Sequence, residues 1–312
     1  IDGCPAGLPL SVDDFTTDIE RRKPGALGTT PRKEDDIPQI KTGLFNGKTT
    51  GAPITVIFEN KNTRSSDYEK LRAVPRPGHA DFVASKKFGG NEDYRGSGHF
   101  SGRLTVCLVA AGVIAKRLLL TSTKGGGIIV QSYISEIGGE KDPDKGLQKA
   151  FDAKDSVGGI VECKVSGLPV GLGEPFFDSA ESLISHAVFA IPAVRGVEFG
   201  TGFDAARMFG SDHNDAIEDK TGKTFTNHAG GIVGGLTNGN ELLFRIAVKP
   251  TSSTPKEQQT INPETDNVEA FSVKGRHDLC IALRVPVVLE AVTAIVLADL
   301  MLLEQKIPRI IS

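Results

Sequence analysis

The six residues "RPGHAD", 76 to 81, place a histidine between an arginine and an aspartate in one short turn. Pro77 fixes its own φ angle and Gly78 relaxes the backbone beside it, so His79 is expected to hold a defined position. Histidine titrates near neutral pH, which suits a histidine held in this way to proton transfer. A buried histidine that only hydrogen-bonds its neighbours would fit the same six residues, so the turn alone leaves both interpretations open.

Two further segments have a composition suited to binding anions. The segment "HFSGR", 99 to 103, precedes an apolar run, and the amide groups at the start of a helix favour an anion. The run "KPTSS", 249 to 253, follows a predicted strand and offers hydroxyl and amide donors suited to a phosphate. A solvated basic face and a polar turn are the structural alternatives for the two segments.

Four other features of the sequence give weaker signals. In "GRHD", Asp278 precedes the last apolar run and is suited either to catalysis or to capping a helix. The run "GGIVGG", 230 to 235, allows a strand or a flat ligand to approach closely, but it does not match the dinucleotide fingerprint. His213 lies between two aspartates without a fourth ligand at metal spacing, so we predict no metal site. His186 lies in an apolar helical pattern and is expected to be packed.

The overall composition restricts the classes of function. With 36 Lys and Arg against 39 Asp and Glu, the net charge of −3 argues against a general nucleic-acid or membrane-surface binder. Any anion site must therefore be a local cluster of cations. The four cysteines are too far apart for a zinc or redox motif and indicate a reducing compartment. The apolar run 285 to 303 contains Glu290 and Asp299, which favours a buried helix over a membrane span.

Hydrophobic patterns predict an α+β protein. A strand-rich stretch followed by a long buried helix occurs twice, which predicts two internally similar halves and a sandwich with helices between sheets. The polar segments 140 to 156 and 251 to 267 are expected to be loops. The predicted helices are 11–22, 101–120, 180–190 and 286–306, and the predicted strands are 52–60, 126–139, 158–167, 195–200, 230–236, 241–250 and 268–273.

Six motifs in this order and spacing resemble one family, the chorismate synthases: "RPGHAD", "FSGR" opening a helix, "GLGEPFFD", "NHAGGIVGG", "KPTSS" and "KGRHD". The resemblance covers essentially the whole chain. It implies a single domain over 1–312 with a β-α-β sandwich fold and a long buried C-terminal helix. It also implies a cytoplasmic homotetramer that eliminates phosphate from 5-enolpyruvylshikimate 3-phosphate by an anti 1,4 course to give chorismate. The resemblance implies that reduced FMN is required and donates an electron to the substrate transiently, so the reaction has no net redox change. An external flavin reductase or reductant is expected to supply the reduced FMN.

The resemblance also implies roles for individual residues. His79 matches a histidine at the N1/O2 edge of the flavin, and Asp278 matches an aspartate near flavin N5 in the relay that takes the C6 hydrogen. The matching substrate-binding arginines are Arg22, Arg32 and Arg103. The matching FMN-binding positions are His99, Phe100, Ser101, Pro192, Ala193, Gly234, Lys249, Pro250, Thr251, Ser252, Ser253 and Arg276.

The sequence departs from the family pattern at several places. The "GESHG" motif that opens the family, with its second catalytic histidine, is absent, and we expect that the natural beginning of the chain is missing. Gly28 replaces a substrate-facing arginine, and His99 and Phe100 replace the arginine and serine of "RSSAR". The stretch between "EIGGE" and "DSVGG" is shorter than the pattern. Two other functions stay open: a nicotinamide-dependent flavin oxidoreductase, and a non-catalytic anion-binding scaffold.

Overall fold

The computed structural model describes residues 1–31, 34–60, 74–121, 126–273 and 277–311. Its α-helices are α1 (Thr16–Arg22), α2 (Asp81–Phe88), α3 (Thr105–Thr121), α4 (Pro143–Ala153), α5 (Ala180–Val188), α6 (Gly210–His213) and α7 (Pro286–Leu303). Short 3-10 helices cover Val12–Phe15, Arg95–Phe100, Gly102–Leu104, Phe176–Asp178, Gly202–Arg207 and Ile281–Arg284. The strands are β1 (Gln39–Thr42), β2 (Leu44–Phe45), β3 (Lys48–Thr49), β4 (Thr55–Ile57), β5 (Ile129–Ile137), β6 (Gly159–Ser166), β7 (Val194–Phe199), β8 (Ile232–Val233), β9 (Leu236–Thr237), β10 (Leu242–Val248), β11 (Gln258–Asn262) and β12 (Asn267–Phe271).

Two apolar helices, α3 and α7, pack against each other at the centre of the core. They approach so closely at Gly112 that a Cβ added there would lie 2.5 Å from the Cα of Ala291. A larger residue at either position would force the helices apart, because packed interiors leave no room for extra atoms. The two small residues therefore fix the distance between the helices.

An antiparallel sheet in the order β5-β6-β10-β7 covers one side of this helix pair. Alternate residues of its strands are buried, as expected where one face of a sheet meets the core. Val161, Cys163 and Val165 of β6 face the helices together with Phe244 and Ile246 of β10. The remaining strands form two-stranded pairs: β1 with β4, β2 with β3, β8 with β9, and β11 with β12.

Most predicted elements are confirmed, but some predictions were wrong. The expected loop at 140–156 contains α4, and the expected loop at 251–267 contains β11. Local signals explain α4: the side chain of Asp142 accepts from the Asp144 N–H at 3.1 Å, and Pro143 occupies the first helical position. The prediction of a packed His186 was also wrong, because this residue is exposed on α5.

The mixed helix and sheet class is confirmed, whereas the sandwich with two similar halves is not. In the described ranges, the one sheet of four strands comes from residues 129–248, and residues 1–60 contribute only two-stranded pairs.

Residues 102–121 and α7 are long and apolar enough to cross a membrane by composition. Both pack in the core, and twelve of the residues of α7 are buried, so a place in the interior accounts for their apolar character.

Candidate functional site

A cavity of about 500 Å³, called here the main cavity, opens where the ends of several elements meet. Its wall includes the turn before α2, the segment 96–105 that leads into α3, and the turn 190–193 between α5 and β7. Residues 249–253 after β10 and several residues of the segment 277–288 around the start of α7 complete it. Loops that are far apart in sequence therefore share one hollow, as is common for functional sites.

Fourteen of the seventeen predicted site residues line the main cavity. They are Arg22, His79, His99, Phe100, Ser101, Arg103, Pro192, Ala193, Lys249, Pro250, Thr251, Ser252, Ser253 and Asp278. Gly234 is exposed in the turn between β8 and β9, and it does not line this cavity. Arg32 and Arg276 lie outside the described residues.

The turn 76–81 holds His79 through a network centred on Arg76, which is buried. The guanidinium of Arg76 donates to both carboxylate oxygens of Asp81, at 2.7 and 2.9 Å. It also donates to Ser97 Oγ at 3.0 Å and to Ser253 Oγ at 3.2 Å. One arginine thus joins three separate segments of the cavity wall.

The carboxylate of Asp81 lies beside the imidazole of His79, with 2.6 Å between Oδ1 and Nδ1. Burial alone would raise the pKa of Asp81, but hydrogen bonds from Arg76 and His79 hold this pKa far below its usual value. Asp81 is therefore ionised and accepts hydrogen bonds at neutral pH. Gly78, with φ of +68°, makes the backbone conformation of this turn possible.

Lys249 gives the cavity a cation that the structure pairs with neutral groups. Its Nζ donates to the Gly78 carbonyl at 3.1 Å and to Ser252 Oγ at 3.2 Å. Ser252 Oγ donates to the same carbonyl at 2.9 Å. Burial, and then the nearby charge of Arg195, lower the pKa of Lys249 below its usual value. An anion placed against Lys249 would offset this unfavourable charge.

The carboxylate of Asp278 is fixed on the opposite wall. Its Oδ1 accepts the backbone N–H of Thr30 at 2.9 Å, and its Oδ2 lies 3.5 Å from Arg284. The carbonyl of Gly28 accepts the backbone N–H groups of Leu279 and Cys280, which ties the segment after Asp278 to residue 28. Asp278 therefore occupies a fixed position at the cavity.

The geometry at Gly28 leaves little room for a side chain. Gly28 adopts a φ of +82°, and an added Cβ would lie 2.9 Å from Leu283 Cδ1 and 3.0 Å from Leu147 Cδ2. Any side chain at this position would be strained and crowded. The guanidinium of Arg284, at the end of the 3-10 helix Ile281–Arg284, lines the main cavity and lies 3.5 Å from Asp278.

Two predicted substrate-binding residues, Arg22 and Arg103, share two acids, the buried Asp36 and the half-buried Glu34. Arg22 contacts Asp36 at 3.0 Å and Glu34 at 3.6 Å, and Arg103 contacts the same two carboxylates at 2.5 and 3.4 Å. Arg22 also donates to Thr105 Oγ1 and to two backbone carbonyls at the start of α3. Burial, and then repulsion from Arg284, lower the pKa of Arg22 to about 10. With an exposed fraction of 1%, Arg22 holds the wall together, while its contact with a substrate remains a prediction.

The wall residues to which sequence reasoning assigned no site role include Thr30, Glu34, Arg76 and Arg284. Arg76 adjoins His79 in the motif "RPGHAD", but nothing in the motif predicts a site role for Arg76 itself. Arg284 had a positional signal, because it lies two residues before the proline that starts α7. Thr30 acts through its backbone N–H, and Glu34 acts through ion pairs with Arg22 and Arg103. Neither kind of contact leaves a pattern in a single sequence.

A second cavity of about 740 Å³ adjoins the main cavity. Arg76, Ser97, His99 and Phe100 line both cavities. The segment 97–100 therefore forms part of the partition between them.

The remaining histidine cluster has a structural explanation. The ring of His213 lies 5.9 Å from that of His228. Asp215 accepts hydrogen bonds from Thr226 Oγ1 and from the N–H groups of His228 and Ala229, so it holds a loop together. Within the described ranges, no three His, Cys, Asp or Glu side chains form a group suited to a metal ion.

Comparisons with known proteins agree on one family. The family model "Chorismate synthase" matches residues 1–302. The chorismate synthase of Chitinophaga pinensis is 69% identical over 310 residues, which cover 99% of this chain and 92% of that protein. The chorismate synthase of Dehalococcoides mccartyi (strain BAV1) is 47% identical over 342 aligned positions, covering 100% and 93%. A crystal structure of chorismate synthase superposes with a TM-score of 0.70 at 27% identity and covers 97% of this chain and 87% of that chain.

Proposed function

This chain belongs to the chorismate synthase family, and on that premise we propose how the main cavity carries out the family's lyase reaction. The substrate is 5-enolpyruvylshikimate 3-phosphate, and the reaction is an anti 1,4-elimination of phosphate that gives chorismate. Two alternative functions, a nicotinamide-dependent flavin oxidoreductase and a non-catalytic anion-binding scaffold, are not favoured. The similar proteins are named chorismate synthases.

One observation carries the proposal: fourteen residues chosen from separate motifs line a single cavity. The substrate brings a phosphate and two carboxylates into that cavity, so cations are needed to offset the loss of their hydration. Arg103, Lys249 and Arg284 supply positive charge on different walls. We assign Arg103, Arg22 and, beyond the described residues, Arg32 to the substrate.

The residues of the cavity fit the flavin cofactor as well. The strip 249–253 offers a cation whose charge lacks an acidic partner among the described ion pairs, together with the hydroxyls of Ser252 and Thr251, which suit a phosphate. Pro192 and Ala193 offer an apolar surface for a flat ring system. We assign His99, Phe100, Ser101 and, beyond the described residues, Arg276 to FMN from the family pattern, but not Gly234, which does not line the main cavity. Reduced FMN, when bound, supplies an electron transiently to the substrate and regains it, so the reaction has no net redox change.

His79 and Asp278 divide the proton chemistry between two walls. His79 holds a proton at the flavin edge, since its Nδ1 is occupied by Asp81 and its Nε2 remains for a partner in the cavity. Asp278 takes part in the relay that removes the C6 proton, and the Thr30 N–H keeps its carboxylate in place. Over the whole reaction the C6–H and C–O bonds break, one further carbon–carbon double bond forms, and the phosphate leaves with the electrons of the C–O bond, so atoms and electrons balance.

We propose that the chain is one domain, 1–312, of a homotetramer with the β-α-β sandwich fold. Several large apolar side chains are almost fully exposed, which supports self-association: Phe176 (90%), Phe177 (91%), Phe203 (79%) and Phe209 (79%). The four free cysteines fit a reducing cytoplasm, where an external flavin reductase or reductant supplies reduced FMN.

Anaerobic incubation with the substrate and dithionite-reduced FMN tests the activity. We expect phosphate and chorismate in equal amounts, and no product with oxidised FMN. We expect His79→Gln to lower kcat by about 10²–10⁴-fold, the usual share of a proton-transfer group. The matched control is His186→Gln on the exposed face of α5, which should keep full activity.

The outcomes separate the competing functions. Absence of phosphate release would support the scaffold and contradict the lyase assignment. Oxidation of nicotinamide in proportion to product would support the oxidoreductase. Equal loss of activity in the two histidine variants would contradict the role proposed for His79.

A further inference from the structure

The carboxylate of Asp81 controls one ring nitrogen of His79. Its Oδ1 lies 2.6 Å from His79 Nδ1 and also accepts from Arg76 at 2.9 Å. Its Oδ2 accepts from Arg76 Nε at 2.7 Å and from the Arg76 backbone N–H at 3.1 Å. Four contacts therefore fix the carboxylate, and each of them uses it as an acceptor.

These contacts determine the tautomer of the imidazole. Asp81 is ionised, because its bonds to Arg76 and His79 outweigh burial and keep its pKa low. An ionised carboxylate cannot donate, so the proton between Asp81 and His79 belongs to Nδ1. The Arg76 nitrogen 3.0 Å from Nδ1 can also only donate, and it donates to Asp81 and Ser97 instead.

We propose that Asp81 is a positioning residue that keeps His79 protonated at Nδ1, so that Nε2 is available to the flavin or the substrate. The inference rests on the proposed function, in which His79 acts inside the main cavity. The same hydrogen-bonding principle operates where a carboxylate fixes the tautomer of a catalytic histidine. Here the carboxylate is only two residues from the histidine, and the start of α2 holds it in place.

The bond between Arg76 and Asp81 also anchors the turn, so the test needs a signal that anchoring alone does not change. Nitrogen-15 NMR of protein labelled in the imidazole ring reports which ring nitrogen carries the proton. His79→Gln identifies the signals of His79. We expect the neutral ring of the unmodified protein to be protonated at Nδ1.

The variant Asp81→Asn should change this tautomer. Asparagine can turn its amide group so that it donates to Nδ1, which would move the proton to Nε2. We expect kcat for phosphate release to fall by about 10²–10⁴-fold, with a much smaller change in KM, because the substrate contacts remain. The matched control is Asp93→Asn, which alters another aspartate that is bonded twice to an arginine, Arg95, at 2.8 and 2.7 Å. It should leave the His79 signals and kcat unchanged.

Each outcome decides a separate point. Protonation at Nε2 in the neutral unmodified protein would overturn the inference without any variant, even if Asp81→Asn failed to fold. A folded Asp81→Asn protein with an unchanged tautomer would also overturn it. A changed tautomer with unaltered kcat would leave the geometry intact but remove His79, and with it Asp81, from the proposed chemistry.

Discussion

Two clusters of charged residues in this molecule are organised in opposite ways. The first, the Glu290 cluster, consists of Asp18, Arg21, Lys116 and Glu290. Glu290 accepts two hydrogen bonds from Arg21, both at 2.7 Å, and one from Lys116 at 2.6 Å. Lys116 also donates to Asp18 at 2.8 Å. Two acids and two bases thus neutralise each other.

The main cavity contains a cation, Lys249, that has no acidic partner among the described ion pairs. Burial would raise the pKa of Glu290, but Arg21 and Lys116 lower it, and the hydrogen bond with Glu290 raises the pKa of Arg21. The shift has the other sign for Lys249, because burial and then the nearby charge of Arg195 lower its pKa. Contacts within the Glu290 cluster already favour the charged forms of its residues. In the main cavity, a bound anion would be needed to favour the charged form of Lys249 in the same way.

The difference between the clusters separates a structural role from a binding role. A closed set of ion pairs stabilises only the arrangement that it already has. A cation that has lost hydration without gaining an acid is unfavourable in the free protein and becomes favourable with an anionic ligand. Substitutions in the two regions should therefore change different measurements.

The largest effect is expected from Glu290→Ala. This change leaves Arg21 and Lys116 without their buried acid, and breaking such a pair costs about 3–5 kcal/mol in the free energy of unfolding. Urea unfolding measures this loss. FMN affinity of the folded protein should change less than its stability, because none of the four residues of the Glu290 cluster lines the main cavity.

Asp204→Ala is the control for the Glu290 variant. Asp204 pairs with Arg207 at the surface, where both side chains are about three-quarters exposed. Water already solvates these charges, so the urea midpoint should not move measurably. A Glu290→Ala protein as stable as this control would show that the Glu290 cluster has no structural role.

Lys249→Met is expected to have a smaller effect, and this effect should fall on FMN binding rather than on stability. Loss of a charged donor should weaken FMN binding by about 1.5–3 kcal/mol, or roughly 10- to 150-fold. The free energy of unfolding without FMN should change little, because the free protein gains little from this desolvated charge. Fluorescence titration with FMN and urea unfolding measure the two quantities.

Lys145→Met removes a lysine with a largely exposed side chain and serves as the matched control. It should leave both quantities unchanged. If Lys249→Met lowered stability and kept FMN affinity, Lys249 would belong with the structural cluster, and the contrast between the two regions would fail.

The sequence could predict the parts of the site that depend on local chemistry. Turn residues such as Pro77 and Gly78 specify their own backbone geometry, and Lys249 to Ser253 follow a strand that its alternating pattern predicts. The long apolar runs likewise predict α3 and α7. Each of these signals lies within a few neighbouring residues.

Contacts between distant residues could not be predicted in this way. Glu290 and Arg21 are 269 residues apart, and nothing near either residue specifies the other. Asp36 reaches Arg22 and Arg103 from a left-handed conformation with φ of +49°, which is unusual for an aspartate. Only the fold brings these charged residues together. From the composition alone, they could not be told apart from ordinary charged residues at the surface.

The smallest expected effect is the pH dependence of FMN affinity. Only the protonated Lys249 attracts the phosphate, so affinity should fall as pH rises through the pKa of this lysine. Burial and Arg195 lower that pKa, so the fall should begin below the pH of about 10.4 at which an ordinary lysine titrates. Lys249→Arg keeps its charge throughout this range and should show a weaker dependence on pH. Titrations with FMN between neutral and mildly alkaline pH compare the two proteins, and the affinity of the unmodified protein should change by less than about tenfold. Identical pH profiles would mean that the charge of Lys249 does not bind the phosphate, and the cation on this wall would then resemble the compensated bases around Glu290.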